Sequence, residues 1–105
     1  MSAGAYGLVE VRGAANGILV TDRMAKAADV DFIAEDHVCG GHVVIFMAGE
    51  VAAVKAAVDA VAKNPPCEVY NTFVISNPSS ETEEAVQQLI DRRNKKHKGK
   101  NDGWF

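Results

Sequence analysis

The spacing of apolar positions along the chain changes repeatedly between two periods, and these periods predict a series of strands and helices. Residues 6–12 are rich in β-branched and aromatic side chains and predict a first strand, which Gly13 ends. From residue 14 to 28 the apolar positions follow helical spacing, with Val20, Met24, Ala27 and Ala28 on one face. Residues 30–34, running on towards residue 38, predict a second strand. The continuous apolar run at 43–47 predicts a third strand that is buried on both faces.

The second half of the chain repeats this order. A helix is predicted from Glu50, and its apolar stripe consists of Val51, Val54, Val58, Val61 and Ala62. Two prolines at 65–66 end that helix, because proline disfavours helical backbone in the residue before it. Residues 67–76 predict a fourth strand. Residues 80–83 match a capping box, which predicts the start of a third helix.

The element order β-α-β-β-α-β-α predicts an α/β fold of the α+β, ferredoxin-like split-βαβ type. We expect an antiparallel-containing four-stranded sheet with helices packed on it. At 105 residues the chain has room for one core, predicted at residues 1–91. Residues 92–105 predict a basic, disordered tail. This fold serves regulators, metal carriers and enzymes, so the fold by itself does not identify the function.

The charge distribution argues against nucleic acid as a partner. The net charge is −3, but residues 92–100 contain six basic residues and no acidic residue. A nucleic-acid-binding domain would carry its basic residues on the folded body, which here is acidic. No apolar stretch approaches the roughly 18–20 residues that a bilayer span needs, and residues 1–4 do not resemble a signal peptide. The sequence predicts a cytosolic protein whose Cys39 and Cys67 are free thiols.

Four segments resemble the bacterial microcompartment (BMC) domain, and the resemblance covers about residues 5–90. Residues 6–13 (YGLVEVRG) are similar to the opening strand of that family. Residues 22–30 (DRMAKAADV) and 49–60 (GEVAAVKAAVDA) are similar to its two helices, and these two segments are specific when found together at this spacing. Residues 74–78 (VISNP) stand where the family commonly has Val-Ile-Pro-Arg-Pro.

The resemblance implies a structural shell protein, not an enzyme, that forms a cyclic homohexamer with a narrow central pore. Such hexamers would pack edge to edge with other shell proteins of a compartment in the cytoplasm. By position, Lys26 would lie at the hexamer edge, where its aliphatic stem can stack on a counterpart. Asn77 replaces the family's edge arginine, and Ala48 replaces another frequent arginine. Both losses remove hydrogen-bond donors, so we expect weakened tiling by this chain alone.

The resemblance also implies that the loop between the second and third strands lines the pore. Its residues are His37, Val38, Cys39, Gly40, Gly41 and His42. Six-fold symmetry would bring six Cys39 thiols around one axis, and a 4Fe–4S cluster needs four thiolates. Some tandem-domain members hold such a cluster in the pore, for electron transfer or redox gating. Two alternatives stay open: zinc, which thiolate and imidazole suit equally, and an open metabolite pore with no metal.

Other function classes find weaker support in the sequence. No phosphate-binding glycine motif, His-Glu-x-x-His motif or convincing nucleophile–base pair is present. A soluble ligand-binding regulator of the ferredoxin-like type is the main alternative, and a small metal carrier is disfavoured by the single loop cysteine. Trp104 and Phe105 could dock on an encapsulated enzyme. The pore cysteine and the departures from the common pattern resemble shell proteins of glycyl-radical-type compartments.

Overall fold

A computed structural model describes residues 4–100 of the chain, with residues 96–100 described only by their helical backbone. The elements are β1 (Ala5–Arg12), α1 (Gly13–Ala27), β2 (Asp31–Val38), β3 (His42–Gly49), α2 (Val51–Lys63), β4 (Val69–Ser76) and α3 (Ser80–Lys100). A short 3-10 turn, Cys39–Gly41, joins β2 to β3. The predicted order of elements is confirmed.

The four strands form one sheet in the order β2-β3-β1-β4, and every neighbouring pair is antiparallel. This is the arrangement expected of a split βαβ fold, because each helix connects two parallel strands with a third strand between them. The register shifts between Glu10 and Val11 and between Phe32 and Ala34. These irregularities depend on the partner strands, so the sequence periods did not reveal them.

The main core lies on the sheet face covered by α1 and α2. Its fully buried side chains include Val9, Val20, Met24, Ile45 and Val54. Gly7 lets α2 approach β1 closely, since a Cβ atom there would lie 2.7 Å from Cγ2 of Val58. The predicted helical stripes placed Val20, Met24 and Val54 correctly, but Ala27 and Ala62, which were assigned to the same stripes, are exposed.

A second, smaller cluster lies on the opposite face, where α3 crosses one end of the sheet. Tyr6, Ala48 and Val86 are buried in it, with Phe46 partly buried beside them. The prediction that β3 is buried on both faces is therefore wrong within one chain. Its residues alternate between buried and partly buried because α3 covers only part of this face.

The third helix differs from the prediction at both ends. Ser79, not Ser80, is its cap: the Ser79 hydroxyl oxygen accepts the backbone N–H of Thr82 at 3.2 Å. The helix also continues past residue 91 to Lys100, where a disordered tail was expected. Lysine and arginine are good helix formers and suit the C-terminal end of the helix dipole. Residues 101–105, including Trp104 and Phe105, lie outside the described residues.

Arg93 ties α3 to the edge strand β2. Its guanidinium lies 5.1 Å from the centre of the Phe32 ring and donates a hydrogen bond to the Ile33 carbonyl at 3.4 Å. This residue belongs to the basic run that the charge pattern assigned to the tail, but it packs on the sheet. Among residues 4–100, no helix combines the length and the apolar content needed to cross a bilayer.

Candidate functional site

The turn between β2 and β3 is the sharpest reversal of the sheet. Val38 and His42 form the last pair of the β2–β3 ladder, and Cys39, Gly40 and Gly41 connect them. Gly40 and Gly41 have φ angles of 82° and 80°, a left-handed conformation that residues with a Cβ rarely adopt. Two consecutive glycines are therefore needed for this backbone path, and all three turn residues are exposed.

Cys39 presents a free, exposed thiol at this turn. Within one chain, the described residues contain no group of three histidine, cysteine, aspartate or glutamate side chains that could hold a metal ion. One chain thus supplies a single thiol here. A metal at this position would require ligands from several copies.

The two histidines that flank the turn lie on opposite faces of the sheet. His37 pairs with Val43, which points into the main core, and its Nε2 atom lies 3.4 Å from Oε1 of Glu35. His42 is on the other face, next to Glu10. Cross-strand partners share a face, so His37 lies on the face of Val43. His42 is next to Val43 along β3 and therefore points to the opposite face.

His42 belongs to a polar cluster that spans three strands. Its Nδ1 atom lies 2.8 Å from Oε2 of Glu10, and its ring stacks on Tyr70 with centroids 4.3 Å apart and planes 6° apart. The Asn71 amide donates to Oε1 of Glu10 at 2.7 Å. The hydrogen bond from Asn71, and then the one from His42, lower the pKa of Glu10.

The sequence did not indicate this cluster. Glu10 and Arg12 stand on one face of β1, but the partners of Glu10 come from β3 and β4. The pairing of Glu10 with Val44 on one side and Asn71 on the other sets these neighbours. Such pairs depend on strand register, which is decided by contacts distant in sequence.

The residues predicted for a hexamer edge lie at the end of the sheet opposite the turn. Asn77 follows β4, whose last residue pairs with Ala5 at the start of β1, whereas the turn adjoins Arg12 at the end of β1. Lys26 is in the last turn of α1, which runs back along β1 from that same end. The topology therefore separates Cys39 from Lys26 and Asn77 by the length of the sheet.

Both edge candidates are exposed, and each has a local partner. The Lys26 ammonium lies 2.9 Å from the Asp22 carboxylate in a surface ion pair, which contributes little to stability. Asn77 has a φ of 49°, and its N–H donates to the Gly4 carbonyl at 3.0 Å. Asparagine tolerates this left-handed backbone better than most residues with a side chain. Ala48 is buried against α3, where an arginine would not fit without moving the helix.

Cys67 is half-buried and free, and burial raises the pKa of its thiol. Its sulfur packs against the main core and lies 4.0 Å from the Asn16 carbonyl oxygen. It is thus a packing residue in this structure.

Comparison with known proteins gives a consistent set of relatives. The BMC domain matches residues 5–78. The carboxysome shell protein CsoS1 of Parasynechococcus marenigrum (strain WH8102) is 38% identical over 87 residues, which cover 78% of this chain and 82% of that protein. The probable carboxysome shell protein CsoS1E of Prochlorococcus marinus (strain MIT 9313) is 38% identical over 94 residues, or 85% of this chain.

The chain spans only 45% of the length of that second relative. Among solved structures, a microcompartment protein from Desulfitobacterium hafniense DCB has a TM-score of 0.69 and 33% sequence identity to this chain. That match covers 84% of this chain and 49% of the other.

Proposed function

The chain belongs to the BMC-domain family of microcompartment shell proteins, and on that premise we propose that it assembles as a cyclic homohexamer whose central pore is lined by the Cys39–Gly41 turn. Membership of this family confirms the resemblance that the sequence motifs indicated. It also confirms the predicted location in a microcompartment shell in the cytoplasm. The role we propose is structural, without catalysis by this chain.

One observation carries the proposal: the turn and the edge candidates lie at opposite ends of the same sheet. A hexameric tile needs one end of each subunit at the axis and the other end at the perimeter. In this chain the exposed glycine turn occupies one end, and Lys26 and Asn77 occupy the other. The order of strands and helices thus supports a radial arrangement of the subunit.

We further propose that Cys39 gives the pore an iron–sulfur cluster. The fit depends on assembly, since one chain offers one thiol and a 4Fe–4S cluster requires four ligands. Six copies would supply more than enough, and a cluster held by four of the six thiols would break the six-fold symmetry and leave two thiols free. The exposure of Cys39 and the bare backbone of Gly40 and Gly41 suit a close approach of several copies.

The flanking histidines are poorer candidates for ligands. The Nδ1 atom of His42 is engaged by Glu10 and its ring is stacked on Tyr70, while His37 lies on the other face of the sheet. When bound, the cluster would supply one-electron chemistry, and electron transfer across the shell is the role that we propose for it. Zinc at the thiols, or a metal-free metabolite pore, are the competing states of the same turn.

The test is anaerobic purification of the wild type, Cys39→Ala and the matched control Cys67→Ala. For each, we would measure the oligomer mass, the iron and sulfide content and the visible absorption. We expect hexamers in all three, with iron and sulfide in the wild type and in Cys67→Ala but not in Cys39→Ala. A metal-free, colourless wild-type hexamer would rule out the cluster and leave the open pore, and zinc without sulfide would identify the competing metal.

A further proposal concerns the proteins that pack beside this hexamer in the shell. Because the exposed Asn77 stands where the family commonly has an edge arginine, we propose that this chain co-assembles with other shell proteins. Mixing it with a second shell protein and imaging the sheets would test this. Sheets formed equally well by this chain alone would contradict the proposal. Contact with encapsulated enzymes and a glycyl-radical type of compartment stay predictions.

A further inference from the structure

His42 ends the pore turn, and three side chains from two neighbouring strands surround it. Glu10 on β1 engages its Nδ1 atom, Tyr70 on β4 covers its ring, and Asn71 on β4 holds the other oxygen of Glu10. We infer that Glu10, Tyr70 and Asn71 are positioning residues, which fix His42 and through it the conformation of the Cys39–Gly41 turn. The inference rests on the proposed function only for placing this turn at a pore.

The turn needs such support because its own residues restrict it weakly. Gly40 and Gly41 both have positive φ angles, and a Cβ at Gly41 would meet no atom within 4 Å. Glycine loses more backbone freedom on folding than any other residue. With open space around them, these two glycines are restrained mainly from the ends of the turn, at Val38 and His42.

The end at Val38 offers little restraint, since Val38 is 39% exposed on an edge strand. The end at His42 is held in two directions. The hydrogen bond to Glu10 lies at the edge of the imidazole ring, at 2.8 Å, and the stacked Tyr70 ring limits tilting of its plane. His42 is also paired through its backbone with Arg12. The ring is therefore fixed relative to both β1 and β4.

Glu10 is itself oriented before it meets His42. The Asn71 amide holds one carboxylate oxygen at 2.7 Å, which leaves the other directed at Nδ1 of His42. A hydrogen bond to a charged partner contributes more than a neutral one. Glu10, Asn71 and His42 thus act as one unit, and loss of any of these side chains should loosen the Cys39–Gly41 turn.

The consequence is that the sheet controls how the Cys39 thiol is presented. A site built from copies of one turn requires each copy to hold the same geometry, because ligands must lie within about 0.5 Å of their working positions. We therefore expect substitutions at Glu10, His42 and Tyr70 to change the geometry of the iron–sulfur cluster that we propose for the hexamer. None of these residues needs to touch the metal.

The test uses the metal-free hexamer in a Cys67→Ala background, so that Cys39 is the one remaining cysteine of the chain. We would measure hydrogen exchange of the turn amides and the alkylation rate of Cys39. His42→Gln should raise both by about tenfold, the factor expected from losing a charge-assisted hydrogen bond. His37→Gln is the matched control at the other flank, and it should leave both rates unchanged.

Two further variants keep the test decisive. Glu10→Ala removes the partly buried carboxylate that engages Nδ1 of His42 and should give the same increase in both rates. It serves as the test should His42→Gln fail to assemble. Tyr70→Phe keeps the stacked ring and should behave as the wild type, whereas Tyr70→Leu should not. Equal rates in the wild type, His42→Gln and Glu10→Ala would overturn the inference.

The outcome is separable from that of the cluster. Should the wild type bind no iron while His42→Gln still loosens the turn, the positioning role stands and the cluster proposal falls. Should the wild type bind a cluster whose absorption and electron paramagnetic resonance spectra are the same in His42→Gln and Glu10→Ala hexamers, and the turn rates be unchanged too, the positioning role falls alone.

Discussion

Gly7 on β1 is the position where one added methyl group should have the clearest effect on stability. A Cβ there would lie 2.7 Å from Cγ2 of Val58 and 3.0 Å from Cγ1 of Val54, both on α2. Both valines are buried, and branched side chains have few alternative rotamers with which to yield. Gly7→Ala should therefore push α2 away from the sheet.

The expected magnitude follows from two opposing effects. Overpacking a close-packed core costs about 1–3 kcal/mol. Replacing glycine by alanine restricts the unfolded chain and returns about 0.4–1 kcal/mol. The net loss in free energy of unfolding is therefore about 1–2 kcal/mol. For a domain of about 100 residues this lowers Tm by roughly 5–15 °C.

The assay is thermal unfolding at one fixed protein concentration, because Tm depends on concentration in an oligomer. Gly17→Ala is the matched control. Its Cβ would lie 3.1 Å from the terminal Cδ1 atom of Ile45, a longer contact than the one at Gly7, and alanine favours the helix by about 1 kcal/mol. We expect a small change in Tm for this variant.

A double-mutant cycle sharpens the test. Val58→Ala removes the nearer of the two contacts and leaves the one with Val54, so Gly7→Ala should cost less in that background, with a coupling of about 1 kcal/mol. An unchanged or raised Tm for Gly7→Ala, or equal costs with and without Val58, would refute the packing at this contact.

Three further predictions address α3 and the polar cluster. Burial, followed by the charge of Glu83, raises the pKa of Tyr6. Glu83→Gln should therefore lower that pKa towards its ordinary value in an NMR titration, and an unchanged pKa would contradict the effect of Glu83. Arg93→Ala should lower the free energy of unfolding by about 1 kcal/mol in denaturant, while the exposed Arg92→Ala should not. Since the folded pKa of Glu10 is lowered, its stabilisation is present above the ordinary glutamate range and is lost as pH falls through the folded pKa. The wild type should therefore lose its advantage over Glu10→Ala in acid melts, and a constant difference in Tm would contradict this.

The sequence predicted the elements of the fold because their signals are local. Val54, Val58 and Val61 repeat at helical spacing, and these three residues form the buried face of α2. The motif-based resemblance carried the family, since it used the order and spacing of two specific segments.

Features that depend on distant contacts were not predictable in the same way. The half-covered face of β3 follows from where α3 crosses the sheet. Arg93 packs on β2, although its neighbours in sequence suggest a solvated tail. The partners of Glu10 likewise follow from the register of three strands. In each case the deciding partner is remote along the chain.

The pore turn joins these two kinds of information. The position of the turn can be inferred from the sequence, because two consecutive glycines between predicted strands favour a tight turn. The described residues of one chain contain no group of three ligand side chains that could hold a metal ion, so the metal chemistry that we propose for Cys39 depends on assembly. For the proposed hexamer, we expect metal content to follow the integrity of the ring and not the packing of rings into sheets. Substitution of Lys26, at the proposed perimeter, would separate the two, since it would disturb contacts between hexamers while leaving the six turns together.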